Sequence, residues 1–463
     1  MQLYNSLTQE LFTLPEEWEK HGIRLFVCGP TVYDAPHIGH ARTYIAFDAL
    51  VRWLTHKGID VFYLQNITDV DDKIITRAQE RNITPQTLAR EFERVYKERM
   101  RQLNISTVTR YARASDHIED IISQITTLIE KGHAYTTDTG VYFDISTFPS
   151  YGKLSRQHSD NTQAGARVEI DSSKKNPHDF ALWKFTQDDP CWESPWGKGR
   201  PGWHIEDTAI TQHYFGVQYE MHGGASELKF PHHEAEIAQQ EAASRKEPLV
   251  ALWTHTGVLL VDDKKMSKSL GNFITVEDFL SNYSADVLRY MVLSSSYRSP
   301  IHYSSASADA AASAWNTITL FLSKLSFVVA RAKNDAPQDI DIDHSMQVFT
   351  DALDNDFNTA KALAHIHSLI AEYEPSLYSL SSDNARTVFV HITQLLELLG
   401  FSEFPPLSYR LPFRVGRLAK KRDRARSNQQ FTHSDALREK IERLGYKVED
   451  TQLGSFVYKH TKQ

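Results

Sequence analysis

Two short segments carry side chains suited to phosphate. Pro36-His37-Ile38-Gly39-His40 follows the apolar run Ile23 to Cys28 and its stop at Gly29-Pro30, and it precedes a helical pattern. The start of a helix offers free N–H groups and partial positive charge, so it favours a phosphate. Gly39 lets a nucleotide approach the backbone closely. His37 and His40 can hydrogen-bond phosphate oxygens as charge shifts in a transition state. The second segment, Lys265-Met266-Ser267-Lys268-Ser269, lies between the apolar run Val258 to Val261 and Gly271-Asn272-Phe273. The ammonium groups of Lys265 and Lys268 suit β- and γ-phosphates, where positioning and charge neutralisation dominate. Read alone, the first segment is a loop with two solvated histidines and the second a solvated basic turn. Both together, each in a fitting local setting, argue for nucleotide chemistry.

The elements around them form a strand–loop–helix–strand unit. Ile23 to Cys28 reads as a buried strand. Ala41 to His56 reads as a helix, with Tyr44, Ile45, Phe47, Leu50, Val51 and Leu54 on its apolar face and Lys57-Gly58 closing it. Val61 to Leu64 is the next strand. This opens a parallel α/β sheet of Rossmann-like type. Helical patterns follow near Val70 to Glu80 and Pro85 to Leu103. The fold class is therefore α/β: a Rossmann-like catalytic domain over 1–115 and 202–260, interrupted by an inserted module at 116–201. The insert holds an amphipathic helix through Ile118, Ile121, Ile125 and Leu128, then Tyr142-Phe143-Asp144 and a polar stretch rich in Ser, Asn, Asp and Lys. A loop region spans 261–303, with Thr275 to Asp278 as a helix start. A helical bundle is expected over 304–402 and a small C-terminal α+β domain over 407–463, after the linker Glu403-Phe404-Pro405-Pro406.

A chain of 463 residues suggests two to four domains. No window is apolar enough for a membrane helix, and Glu10, Glu16, Glu17 and Glu19 leave no apolar signal-peptide core. Cys28 and Cys191 are the only cysteines, too few for a disulfide framework, which fits a cytoplasmic protein. The net charge of −8 advertises no polyanion partner, so nucleic-acid binding must rest on a local basic patch. The expected state is a monomer.

The paired segments resemble the HIGH and KMSKS signatures of class I aminoacyl-tRNA synthetases. Further stretches resemble the cysteinyl-tRNA synthetase family in particular: Phe26 to Asp34, Asn66 to Ile74, Gly202-Trp203-His204-Ile205-Glu206, His222-Gly223-Gly224 and Phe230-Pro231-His232-His233-Glu234-Ala235-Glu236. The likeness extends over essentially the whole chain. It implies attack of the cysteine carboxylate on the α-phosphate of ATP, with Mg2+ on the phosphates, giving cysteinyl-adenylate and pyrophosphate. Transfer to the 3′-terminal adenosine of tRNA(Cys) follows. His37, Gly39, His40, Lys265, Ser267 and Lys268 correspond to the ATP motifs. Cys28, Gly29, Thr68, Trp203, His222 and Glu227 correspond to the amino-acid pocket, with Glu227 in place of the usual aspartate.

The resemblance also implies one zinc ion. Serine and cysteine differ by one atom, and an apolar pocket separates such substrates weakly. Zinc prefers sulfur and lowers a thiol's pKa, so it can read the substrate sulfur directly. The family holds zinc with two cysteines, a histidine and a glutamate, which correspond here to Cys28, Asp207, His232 and Glu236. Asp207 therefore stands where the family has cysteine. Its carboxylate keeps the charge but is a harder ligand, so weaker binding and some tolerance of other divalent ions are expected. Two alternatives are that Asp207 stands behind the ligands or that the metal is lost. Read without the resemblance, Cys28 is an ordinary buried small side chain. The four-residue spacing of His232 and Glu236 puts both on one helix face and favours a site.

Arg414, Arg417, Lys420, Lys421, Arg422, Arg424 and Arg426 form a basic run opposed only by Asp423. It suits RNA phosphates or, read blandly, a solvated helix face. The stretches Ser434 to Arg438 and Val448 to Thr451 resemble the family's anticodon-reading domain, and Asp354 to Thr359 its helical-bundle motif. Two rivals remain at this stage. One is an enzyme that activates cysteine for a small amine, which would need no basic C-terminal module. The other is a non-catalytic tRNA-binding descendant, which would have no use for intact nucleotide motifs.

Overall fold

Ile23–Val27 and Val61–Ile67 are mostly apolar and, apart from Arg24 and Phe62 near their starts, buried, which suits the interior strands of a parallel sheet. In the computed structural model, which describes residues 1–157, 173–266, 271–332 and 340–459, these two strands lie side by side. Five parallel strands make the sheet, in the lateral order Val250–Thr256, Tyr219–Ala225, Ile23–Val27, Val61–Ile67, Arg110–Arg113. The chain moves outward one way after Ile23–Val27 and resumes on its other side at Tyr219–Ala225. That reversal opens a crevice beyond the carboxyl ends of these two strands, where ligands bind in open α/β sheets.

The helix after Ile23–Val27 runs Ile38–His56, three residues longer at its start than the apolar pattern predicts. The reason is its cap. The His37 side chain accepts from the backbone N–H of His40, and the His40 side chain accepts from that of His37. This is a reciprocal box made by imidazoles rather than the usual hydroxyl and carboxylate.

The insert has a helix, Ile118–Glu130, and a four-stranded antiparallel sheet of Ala134–Thr136, Gly140–Phe143, Phe180–Phe185 and Gly199–Pro201. Its buried Ile121, Ile125, Leu128, Val141, Phe143 and Trp183 share one core with Phe26, Cys28, Ile205 and Ile237. The helices Ile205–Phe215 and Glu234–Ser244 are thus packed from both sides. Leu259–Val261 pairs in parallel with Ile301–Tyr303 and antiparallel with Lys264–Lys265.

The chain divides into two compact units. One contains residues 1–285, 295–303 and 354–358; the other contains 286–294, 304–353 and 359–463. The short segment 354–358 sits within the first unit, where the Asp356 carboxylate accepts from the Tyr4 backbone at 2.9 Å and the Tyr297 hydroxyl at 2.8 Å.

The second unit holds helices Ser305–Arg331, Ile342–Asp354 (up to residue 353), Thr359–Tyr373 and Ser382–Leu398. Its last part packs helices Phe413–Ser427 and Phe431–Glu442 on the hairpin Tyr446–Thr451/Gly454–Lys459. Val415, Ala419, Ile441, Val448 and Val457 form that core. Arg422 departs from the basic run in which the sequence places it. Its side chain is fully buried and its guanidinium grips Asp450 (2.5 and 3.0 Å) and Ser455 (2.5 Å), so it serves the fold and faces no solvent. Asp450 is 34 % exposed and also faces Arg426 at 3.1 Å, so losing Arg422 removes buried hydrogen bonds rather than stranding a buried charge, worth about 1 to 3 kcal/mol, whereas exposed substitutions stay within about 0.5 kcal/mol. Chemical denaturation is therefore expected to show Arg422→Ala destabilising by about 2 kcal/mol and Arg424→Ala leaving stability nearly unchanged.

Candidate active site

Four elements meet at the crevice. Cys28 follows the first strand and is buried. Asp207 lies in the first turn of Ile205–Phe215. His232 lies in the turn Lys229–His233, which runs on into the helix bearing Glu236. One ligand atom from each of Cys28, Asp207, His232 and Glu236 falls within 4.8 Å of all the others. His232 Nε2 is 3.0 Å from Asp207 Oδ2 and 3.1 Å from Glu236 Oε1, and Cys28 Sγ is 3.9 Å from that same glutamate oxygen. The spacing of His232 and Glu236 does bring both side chains to one point.

This centre gathers acidic groups with, among the described residues, no strongly basic side chain to offset them. Glu206, Asp207 and Glu236 are all buried, and among the described residues no lysine or arginine forms an ion pair with them. Burial first, and then the neighbouring carboxylates, push the Glu206 and Glu236 carboxyls well above the usual range. Burial and the same carboxylates push the Cys28 thiol up. Burial holds His204, His222 and His233 well below the usual imidazole value, so these rings supply no compensating charge. Buried carboxylates without a counter-charge are expensive, and a bound divalent cation is the group that reverses this. The donor set of sulfur, imidazole and carboxylate suits zinc. A second group, Cys28, His222, His233 and Glu236, also lies within 4.8 Å. It offers one carboxylate fewer, so the group containing Asp207 is the better seat for a dication.

Supporting contacts hold this centre. Asn66 Nδ2 donates to Asp207 Oδ1 at 2.6 Å, while Asn66 Oδ1 accepts from the Gly29 N–H at 2.5 Å. A Cβ on Gly29 would sit 1.8 Å from the Asn66 carbonyl oxygen, so only glycine allows this approach. The Thr68 hydroxyl donates to Glu206. Trp203 stacks on His232 with ring centroids 4.5 Å apart, and His204 meets His232 through their Nδ1 atoms at 2.7 Å. His222 lies 3.5 Å from both Cys28 Sγ and Glu236 Oε2 and contacts the Tyr219 hydroxyl at 2.7 Å. Gly29, Thr68, Trp203 and His222 are thus gathered around the metal group. Glu227 is exposed on the turn Ser226–Leu228. Asn66 and Glu206 were not singled out from the sequence, although each sits within two residues of one that was.

At the nucleotide end the His37 and His40 rings stack at 3.8 Å. Each Nδ1 accepts a backbone N–H at 3.3 Å, which assigns the proton of the neutral ring to Nε2. Burial, reinforced by His37, holds His40 well below the usual imidazole value, so it works as a neutral donor. Phe273 to Val276 close on this segment: the Ile38 N–H donates to Ile274 O (3.1 Å), the Val276 N–H donates to Pro36 O (2.9 Å), and Phe273 meets His37 edge-on. A Cβ on Gly39 would lie 2.8 Å from the His37 ring and 2.8 Å from Met266 Cε. The flanks of the two sequence motifs therefore meet. The backbone of Lys265 ends the strand Lys264–Lys265, and Ser267 and Lys268 lie outside the described residues.

In the C-terminal part, Arg414, Arg417, Lys420, Lys421, Arg424 and Arg426 are exposed on Phe413–Ser427, and Arg422 is not. Phe413 (86 % exposed) and Phe431 (58 % exposed) stand out beside them, aromatics that composition could not select.

Comparison with known proteins places the chain in a family. A family described as "tRNA synthetases class I (C) catalytic domain" matches residues 15–313, and a DALR domain matches residues 348–403. The cysteine–tRNA ligase of Thermoplasma volcanium is 41 % identical over 97 % of this chain and 98 % of its own. That of Pyrococcus horikoshii is 41 % identical over 97 % of each, and that of Dehalococcoides mccartyi 42 % identical over 98 % of this chain and 99 % of its own. Among solved structures, Mycobacterium tuberculosis methionyl-tRNA synthetase with methionyl-adenylate superposes with a TM-score of 0.59 at 17 % identity, covering 82 % of this chain and 90 % of that one, a likeness of fold. The parallel sheet, the histidine-capped first helix and these matches lead to one conclusion: the chain belongs to the cysteinyl-tRNA synthetase family of class I aminoacyl-tRNA synthetases.

Proposed function

We propose that this protein activates L-cysteine with ATP and transfers it to the 3′-terminal adenosine of tRNA(Cys), in the cytoplasm. The observation that carries the reading is the buried Cys28, Asp207, His232 and Glu236 group at the sheet's switch point, in the same unit as a phosphate-suited helix start.

In the first step a cysteine carboxylate oxygen attacks the α-phosphorus, and the bond to the departing pyrophosphate breaks. The Nε2–H groups of His37 and His40 donate to the phosphoryl oxygens, where fixed donors are worth most as charge develops. Gly39 leaves room for the nucleotide against the helix start. Lys265, Ser267 and Lys268 hold the β- and γ-phosphates together with Mg2+. Cys28, Asp207, His232 and Glu236 would hold a zinc ion, which would supply a sulfur-preferring Lewis acid favouring a thiolate substrate over its hydroxyl analogue. Gly29, Thr68, Trp203 and His222 line the amino-acid side, and Glu227 reaches for the substrate amine. In the second step a ribose hydroxyl, the 2′ by analogy with the class, attacks the activated carbonyl and AMP leaves. Arg414, Arg417, Lys420, Lys421, Arg424 and Arg426 bind tRNA phosphates, with bases stacking on the exposed aromatics.

Amino-acid-dependent ATP–pyrophosphate exchange tests this directly. Exchange with cysteine, and at least about a hundredfold less with serine, is expected, since one-atom differences read by apolar contacts alone reach only about that ratio. No exchange with any amino acid would favour a non-catalytic tRNA-binding protein. Equal exchange with serine would mean that sulfur is not being read. Asp207→Ala is expected to lower bound zinc, measured by elemental analysis, and cysteine affinity together. Undiminished zinc in that variant would remove Asp207 from the ligands.

A further inference from the structure

We propose that Asn66 is a positioning residue that restricts Asp207 to one metal-facing oxygen and so keeps open the coordination place the substrate sulfur needs. The inference rests on the metal-centred reading above. The family's cysteine at position 207 presents a single ligand atom. A carboxylate presents two and can take two places on a cation. With Cys28, His232 and Glu236 already contributing, a second oxygen from Asp207 would occupy the place left for the substrate.

The geometry answers this difficulty. Asp207 Oδ1 is held by Asn66 Nδ2 at 2.6 Å, and only Oδ2 is turned to His232 Nε2 at 3.0 Å. Asn66 cannot reverse its amide without loss, because its Oδ1 accepts the Gly29 N–H at 2.5 Å, and that contact demands an oxygen. Gly29 and Asn66 are held in turn by the sheet. Asn66 pairs with Ala112 across two parallel strands, and the absence of a side chain at Gly29 brings the two backbones together. The remaining contacts of Nδ2, to Thr68 Oγ1 and Glu206 Oε1, are both 3.3 Å, so Asp207 is the principal acceptor. Asp207 is fully buried. Partners of metal ligands commonly set affinity by about 10- to 100-fold.

The test is cobalt substitution of the full-length protein, read by its visible absorption, which is intense for four ligands and weak for five. The wild type is expected to show the intense bands and to lose intensity when cysteine adds a fifth ligand. Asn66→Ala frees Oδ1, so weak bands before cysteine is added, undiminished cobalt content and cysteine binding weaker by about tenfold are expected. In Asp207→Cys, where a single sulfur faces the metal, adding Asn66→Ala should change neither the bands nor cysteine binding. Equal losses in both backgrounds would make Asn66 a merely structural residue and overturn the proposal. So would an unchanged spectrum in Asn66→Ala. If Asn66→Ala does not fold, the wild type still decides: weak five-ligand bands before cysteine is added overturn the proposal. A wild type that takes up no stoichiometric cobalt or zinc overturns the metal reading and this one with it. Failure of the Asn66 comparison alone leaves the metal reading standing.

Discussion

Negative charge buried without a partner is the constraint on which the rest of the catalytic unit depends. Glu206, Asp207, Glu236 and the Cys28 sulfur converge from three separate stretches of chain, and no lysine or arginine among the described residues comes to meet them. Folding the apo chain therefore requires protons on some of these groups, and a dication can replace those protons. The imidazoles of His204, His222 and His233, which burial holds well below the usual value, stand around the centre without adding repulsion to a metal. A metal seated here would draw its ligands from elements that pack against one shared apolar core.

The inserted sheet and the helix Ile118–Glu130 share one apolar core with the helices that carry Asp207 and Glu236. The two ends of the crevice are tied separately. Asn66 and Gly29 fix the amino-acid side through a backbone approach that admits no Cβ. At the nucleotide side, reciprocal imidazole caps and the strand-like pairing of His37 with Thr275 tie the helix start to the flank of the Lys265 segment. Changes in that segment can thus reach His37 through two backbone hydrogen bonds.

Much of this was legible in the sequence because the chemistry is local. Strand, loop and helix around His37 to His40 follow from apolar periodicity, and the i, i+4 relation of His232 and Glu236 predicts their meeting. What was not legible depends on contacts between distant stretches. The helix begins at Ile38 because two imidazoles cap each other, a device that cap preferences for hydroxyl and carboxylate side chains do not signal. Asn66 looks like an ordinary strand residue until Gly29 and Asp207 are seen on either side of its amide. Arg422 looks like one cation in a basic run, and only the hairpin bearing Asp450 turns it inward. A run of like charges records composition, whereas which member faces water is set by the helix's packing side.

The central claim is that the buried centre holds a metal that reads the substrate sulfur. Zinc-edge X-ray absorption of the full-length protein with and without cysteine tests it most directly. One sulfur neighbour at about 2.3 Å, from Cys28, is expected in the resting protein, and two once cysteine binds. A sulfur count that does not rise with cysteine, or a resting centre with no sulfur neighbour, would contradict the account.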